Sequence, residues 1–107
     1  MILLPDAALA ATDEVARVGC SESDIQYVTF QLTGTWTGTV TFEGTLLDGA
    51  SFTSVLATLL SSGVAAATAT ATGIYRIDAT GLLQVQARFS TASSGTVVVT
   101  ASLATQK

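Results

Sequence analysis

Histidine is absent from the 107 residues, cysteine and proline occur once each, and only 11% of the side chains are charged. Without histidine the chain lacks the commonest general base and metal ligand. Ser/His/Asp and Cys/His nucleophilic arrangements are thereby excluded. The lone cysteine, Cys20, rules out an intrachain disulfide and gives no sign of an oxidising compartment. Its neighbours Glu22 and Asp24 disfavour a thiolate, so a buried or incidental Cys20 is expected rather than a reactive one. No apolar run is long enough to span a bilayer, so no membrane partner is expected. The opening "MILLPDAALA" lacks a basic n-region and is interrupted by Pro5 and Asp6, so no cleaved signal peptide is expected. Lysine and arginine total four and are scattered, which argues against nucleic acid as a partner.

The charge that is present lies at one end. Residues 1–24 hold Asp6, Asp13, Glu14, Glu22 and Asp24 against Arg17, whereas residues 25–107 balance Glu43, Asp48 and Asp78 against Arg76, Arg88 and Lys107. The net charge of −4 therefore belongs wholly to the N-terminal segment. An ordinary soluble domain carries about 25% charged residues. A folded monomer of 10.9 kDa exposes roughly 5,600 Å². Spread over that area, the charges fall to one per ~470 Å², under half the ordinary density. A neutral, threonine-rich body suits lasting contact with other subunits better than free existence in water. One domain is expected at this length, with an acidic docking arm over residues 1–24 and the folded body over 25–107.

The body alternates with a period of two. In "IQYVTFQL" (25–32), Val28, Phe30 and Leu32 alternate with polar residues; in "TGTVTFEGT" (37–45), Val40 and Phe42 face inward while Thr39, Thr41 and Glu43 face outward. Asp48-Gly49 is a strong hairpin signal. "FTSVLATLL" (52–60) has apolar residues at helical spacing, but its β-branched residues, shortness and flanking turns favour a strand. Further strands are expected over 64–72, 74–79, 82–90 and 96–104, with "ATGL" and "TASSG" as turns, and "EVARVGC" (14–20) is either a strand or part of the arm. Short strands at this spacing with Gly/Ser turns predict an all-β fold, an antiparallel β-sandwich of about eight strands of jelly-roll type. The core predicted from the alternation is Val28, Phe30, Leu32, Val40, Phe42, Ile77, Val85, Phe89, Val97 and Val99.

Chemistry-bearing residues are few. Glu43, Asp48 and Asp78 are the only acids of the body that could form a glycosidase pair; Asp48 is accounted for by its turn, and Asp78 is expected to pair with Arg76 or Arg88. No enzymatic activity, cofactor or metal is expected, and the acids of 6–24 lack EF-hand spacing. Trp36 with Tyr27 or Tyr75 could form an aromatic platform for a glycan, against the alternative that Trp36 caps the core at a hairpin end. Asp13, Glu14, Glu22 and Asp24 are candidates for steering the arm onto a partner.

"VTFQLTGTWTGTVTFEGTLLDGASF" (28–52) resembles a small β-domain that recurs in structural proteins of tailed phages and prophages, and "TATGIYRIDATGLLQVQARFSTASSGTVVVTASLA" (70–104) continues the likeness. The resemblance covers about residues 25–104 and brings no catalytic residues with it. It implies a virion component assembled in the host cytoplasm: a capsid decoration, head-spike or fibre-base protein, or a tail-surface domain. Its expected partners are copies of itself, a trimer first by analogy, and other virion proteins; a carbohydrate-recognition module is the alternative. Leucine-rich "FTSVLATLL" departs from what a freely exposed strand would carry, which implies burial against another subunit.

Overall fold

The computed structural model describes residues 2–3, 6–19, 25–46, 51–79 and 82–105. Cys20, Glu22, Asp24 and the Asp48-Gly49 turn lie outside the described residues. Twelve strands run in chain order: β1 (Ile2–Leu3), β2 (Ala7–Leu9), β3 (Val15–Gly19), β4 (Ile25–Thr33), β5 (Trp36–Thr45), β6 (Thr53–Ser54), β7 (Ala57–Leu59), β8 (Val64–Ala66), β9 (Thr68–Ala69), β10 (Gly73–Asp78), β11 (Gln84–Gly95) and β12 (Val97–Thr105). They form two antiparallel sheets packed face to face. The larger has the order β1-β12-β4-β10-β7-β8, with β2 also on β12; the smaller has the order β3-β11-β5-β6, with β9 also on β5.

Alternation fixes which face of each strand enters the core. All ten side chains named from the sequence are buried at 1% exposure or less. Phe30 of the larger sheet stacks on Phe42 of the smaller at 6.1 Å between centroids, and Tyr75 lies 5.2 Å from Phe42. Two glycines let the long β5–β11 pair bend. A Cβ on Gly38 would stand 2.0 Å from the Thr91 carbonyl oxygen, beside the register shift between Phe89 and Thr91. Gly95 has φ +79° and would set a Cβ 2.2 Å from the Thr35 carbonyl oxygen. Bulges of this kind carry the chain through a bend without ending the strand. For that reason "TASSG" continues β11 rather than forming a turn, and at Gly95–Thr96 the chain crosses to the larger sheet as β12.

The expected arm is part of the sandwich. β1 and β2 pair with β12, in the register Ile2↔Leu103 and Val97↔Leu9, and β3 pairs with β11. Leu9, Ala16 and Val18 join the core. The reason is geometric: strands β12 and β11 would otherwise leave open edges, and the N-terminal segment supplies the missing neighbour to both sheets. The domain boundary placed at residue 24 therefore does not separate arm from body, and Val15–Gly19 of "EVARVGC" form a strand. Deleting residues 1–12 is expected to lower the urea midpoint and raise the proteolysis rate, because it removes buried Leu9 and uncovers β12; an unchanged midpoint would restore the arm.

Residues 52–60 are strand rather than helix, but broken into β6 and β7. Residues 64–72 break likewise into β8 and β9. At both breaks the chain passes from one sheet to the other, so the alternation restarts at each crossing. Among the described residues twelve strands, four of them long, stand where about eight were expected.

Candidate functional site

On the outer face of the smaller sheet, the register lines up Arg17 of β3, Gln86 of β11, Glu43 of β5 and Ser54 of β6 in one row. Strand alternation points Glu43 outward, yet the residue is buried, as is Gln86. At one end of the row the Arg17 guanidinium lies 4.8 Å from the centroid of the Phe52 ring. Both carboxylate oxygens of Glu43 are engaged. Oε1 accepts from Gln86 Nε2 at 2.7 Å and from Arg88 Nε at 3.1 Å, and Oε2 accepts from Arg88 NH2 at 2.9 Å. Gln86 Oε1 accepts from Arg17 Nε at 3.0 Å, and Arg88 NH1 donates to Asp13 Oδ1 at 2.6 Å. Alongside, the Thr41 and Ser90 hydroxyls lie 2.7 Å apart.

Burial pushes the Glu43 carboxyl up, but the hydrogen bonds from Arg88 and Gln86, with the Arg88 charge, outweigh it and hold it below the usual carboxylate range. Arg88 is held above its ordinary value by its hydrogen bonds to Glu43 and Asp13. A carboxylate so fully hydrogen-bonded is a poor proton donor or acceptor near neutral pH. The network acts as a clamp: it joins β3, β5 and β11 and fixes the 11–14 turn through Asp13. Arg88 is therefore the partner of Glu43 and Asp13, across the sandwich from Asp78, with which a pairing was expected.

The sequence-derived docking residues that are described are likewise engaged within the chain. Glu14 Oε1 accepts from the backbone N–H groups of Ala10 and Ala11 at 2.6 and 2.8 Å, which lowers its carboxyl below the ordinary value. Asp13 sits at φ +72°, the left-handed region that costs a side chain free energy, and Asp6 accepts from the Thr100 hydroxyl. Two substitutions separate backbone strain from ion pairing at Asp13. Asp13→Gly loses an exposed pair worth about 0–1 kcal/mol and relieves about 1 kcal/mol of strain, so its stability stays near the parent. Asp13→Ala loses the pair and keeps the strain, and its chemical-denaturation midpoint should fall below that of the glycine variant.

The three aromatic candidates are not brought together. Tyr75 points into the core, where its hydroxyl donates to the Ala71 carbonyl at 2.9 Å and burial raises its pKa. Tyr27 is half-buried with the Arg76 guanidinium 4.7 Å from its ring centroid. Trp36 is half-buried where the chain crosses from β4 in the larger sheet to β5 in the smaller, edge-on to Phe89 at 5.8 Å, and its indole N–H is buried without an acceptor among the described residues. Tyr27 lies near the far end of β4, about 20 Å along the strand from that crossing. A shared platform is thus corrected to three separate packing roles, because alternation turns Tyr75 inward and strand length parts the other two. Among the described residues no group of three metal-ligating side chains gathers, and no helix is long and apolar enough to cross a membrane.

Sequence reasoning read an outward apolar surface only in "FTSVLATLL" and missed how far it extends. Leu56, Leu60, Val64 and Ile74 are exposed at 65, 46, 62 and 40% on the side of the sandwich formed by β6 to β9. The signal for the wider flank was available: residues 49–75 contain no charged side chain.

No family model matches the chain, and no curated protein matches it. Two solved structures share its fold. The SPBc2 prophage-derived protein YomS superposes with a TM-score of 0.72 at 13% identity, over 97% of this chain and 96% of that one. The PBSX exported protein XepA superposes with a TM-score of 0.76 at 14% identity, over 94% of this chain. This chain spans only 37% of XepA.

Proposed function

We propose that this chain is a non-enzymatic structural component of a phage particle, a capsid decoration or a head-spike or fibre-base protein. It assembles with copies of itself, a trimer being the first expectation, and with other virion proteins. The observation that carries this reading is the end-to-end likeness of fold to a prophage-derived protein of matching size. A surface of 5593 Å² bearing so few charges supports it, since such a surface favours standing contact with protein over solvation. The clamp around Glu43 supports it too: its polar groups are spent on holding strands, as suits a rigid building block. The protein is made in the host cytoplasm and leaves it on the particle.

Gradient-purified particles from a lysing culture test this reading by quantitative mass spectrometry. The chain is expected in the particle fraction at a fixed number of copies per particle. Recovery only in the soluble lysate or the medium, the fate suggested by the word "exported" in the description of XepA, overturns the virion assignment.

A further inference from the structure

The two flanks of the sandwich differ in kind. One is built from β1, β2 and β3 and carries Asp6, Asp13, Glu14 and Arg17, with Arg88 close by. The other is built from β6 to β9 and the start of β10, and no residue from 49 to 75 is charged. On this second flank β8 is the edge strand of the larger sheet, and all three of its residues are exposed. Leu60 and Ile74 stand side by side, the Leu60 N–H donating to the Ile74 carbonyl at 3.0 Å, and Val64 lies across from Leu59. Edge strands of soluble proteins are usually blunted by shortness, lysine, proline or inward charges; β8 has only its three-residue length and none of the charged or proline devices.

We infer that the β6–β9 flank is the surface through which one copy of this chain meets another; the inference rests on the self-assembly reading above and names its interface. Charge selects the occupant. Copies of a chain with net charge −4 repel one another, and the uncharged flank is the approach on which that repulsion is least. Residues 51–75 offer a strongly charged partner no complementary side chain, whereas a second such flank buries leucine, valine and isoleucine against its like. The molecule measures 38 × 31 × 24 Å, so its smallest side, 31 by 24 Å, has a cross-section of about 740 Å², of the same order as the ~800 Å² per partner of a stable interface.

Val64→Glu and Ile74→Glu test the inference, with Asp6→Asn on the opposite flank as the control. Sedimentation velocity across a dilution series reads the association of the full chain, and thermal unfolding checks each fold. Val64 and Ile74 are exposed, so folding should persist in both variants. Each glutamate should weaken association at least tenfold while Asp6→Asn leaves it unchanged. An oligomer indifferent to both glutamates overturns this flank and leaves self-assembly standing. A parent chain that stays monomeric at every concentration overturns self-assembly itself. A monomer that binds purified particles in a Val64-dependent way assigns the flank to another protein and overturns the second-copy occupant.

Discussion

Phe42→Ala should unfold at a markedly lower urea concentration than the parent, with a loss of about 3–5 kcal/mol. Phe42 is fully buried and touches Phe30 across the sandwich and Tyr75 beside it. Removing the ring leaves a cavity between two hydrogen-bonded sheets that cannot collapse far without breaking register. Small domains are stable by about 5–15 kcal/mol, so the variant sits at or near the edge of folding at 37 °C. Phe30→Ala should cost a similar amount. The double variant should lose less than the sum, because each ring is the other's neighbour and the second truncation enlarges a void that already exists. Equal midpoints for parent and Phe42→Ala would falsify the inward register of β5.

Glu43→Ala is expected to cost about 1–3 kcal/mol near neutral pH, below the usual figure for breaking a buried pair because the Arg88 side chain is 31% exposed and part of its charge is recovered by water. Glu43 has its carboxyl below 4.5 in the folded state, so its contribution is fully present above pH 4.5 and is lost as the pH falls through the folded value. Gln86, Arg88 and Asp13 are the groups that set that value, and Glu14 adds a second depressed carboxyl. Stability should therefore decline below pH 4.5, and Glu43→Gln should make the decline shallower. At the other end, Tyr75 has its pKa raised by burial from 10.0, so its contribution holds below pH 10 and fades as the pH climbs through the folded value. Urea midpoints from pH 3 to 11 would trace both limbs. An acid limb identical in Glu43→Gln and parent would remove Glu43 from the pH response.

The sandwich core was legible because β4, β5, β10, β11 and β12 alternate large apolar with polar residues, and a period of two leaves one choice of face. β1 and β2 were not legible, and β3 only as one of two alternatives, for the opposite reason. β2 reads Ala-Ala-Leu and β3 places alanine and valine inward, so the alternation is between small and polar residues and carries little contrast. Their identity as strands comes from a need located elsewhere in the chain, the open edges of β12 and β11. Glu43 shows the same limit at one residue. Its outward direction follows from β5, but its burial goes with hydrogen bonds to Gln86 and Arg88, which come from another strand. The aromatic platform failed because residue type says nothing of distance: Trp36 and Tyr27 lie nine residues apart in sequence, at opposite ends of the stretch that runs through β4 into the other sheet. The apolar flank is the converse case, a composition signal in residues 49–75 that becomes a surface only once β6 to β9 share one side.

β12 lies inside the larger sheet, between β4 and the pair β1 and β2, rather than at its rim. During synthesis the ribosome delivers β12 about a hundred residues after β1 and β2, so those two strands wait through that whole stretch before gaining their partner. Long sequence separations of this kind slow folding, since loop closure precedes the contacts that reward it. Until residue 105 clears the ribosome the growing chain exposes β4 along one edge, and the apolar residues 51–75 are already outside. A host chaperone that covers such segments is the natural companion of that interval. A C-terminal fusion that delays release beyond residue 105 should cost little, whereas a truncation within β12 removes the centre of a sheet and should leave aggregated chains.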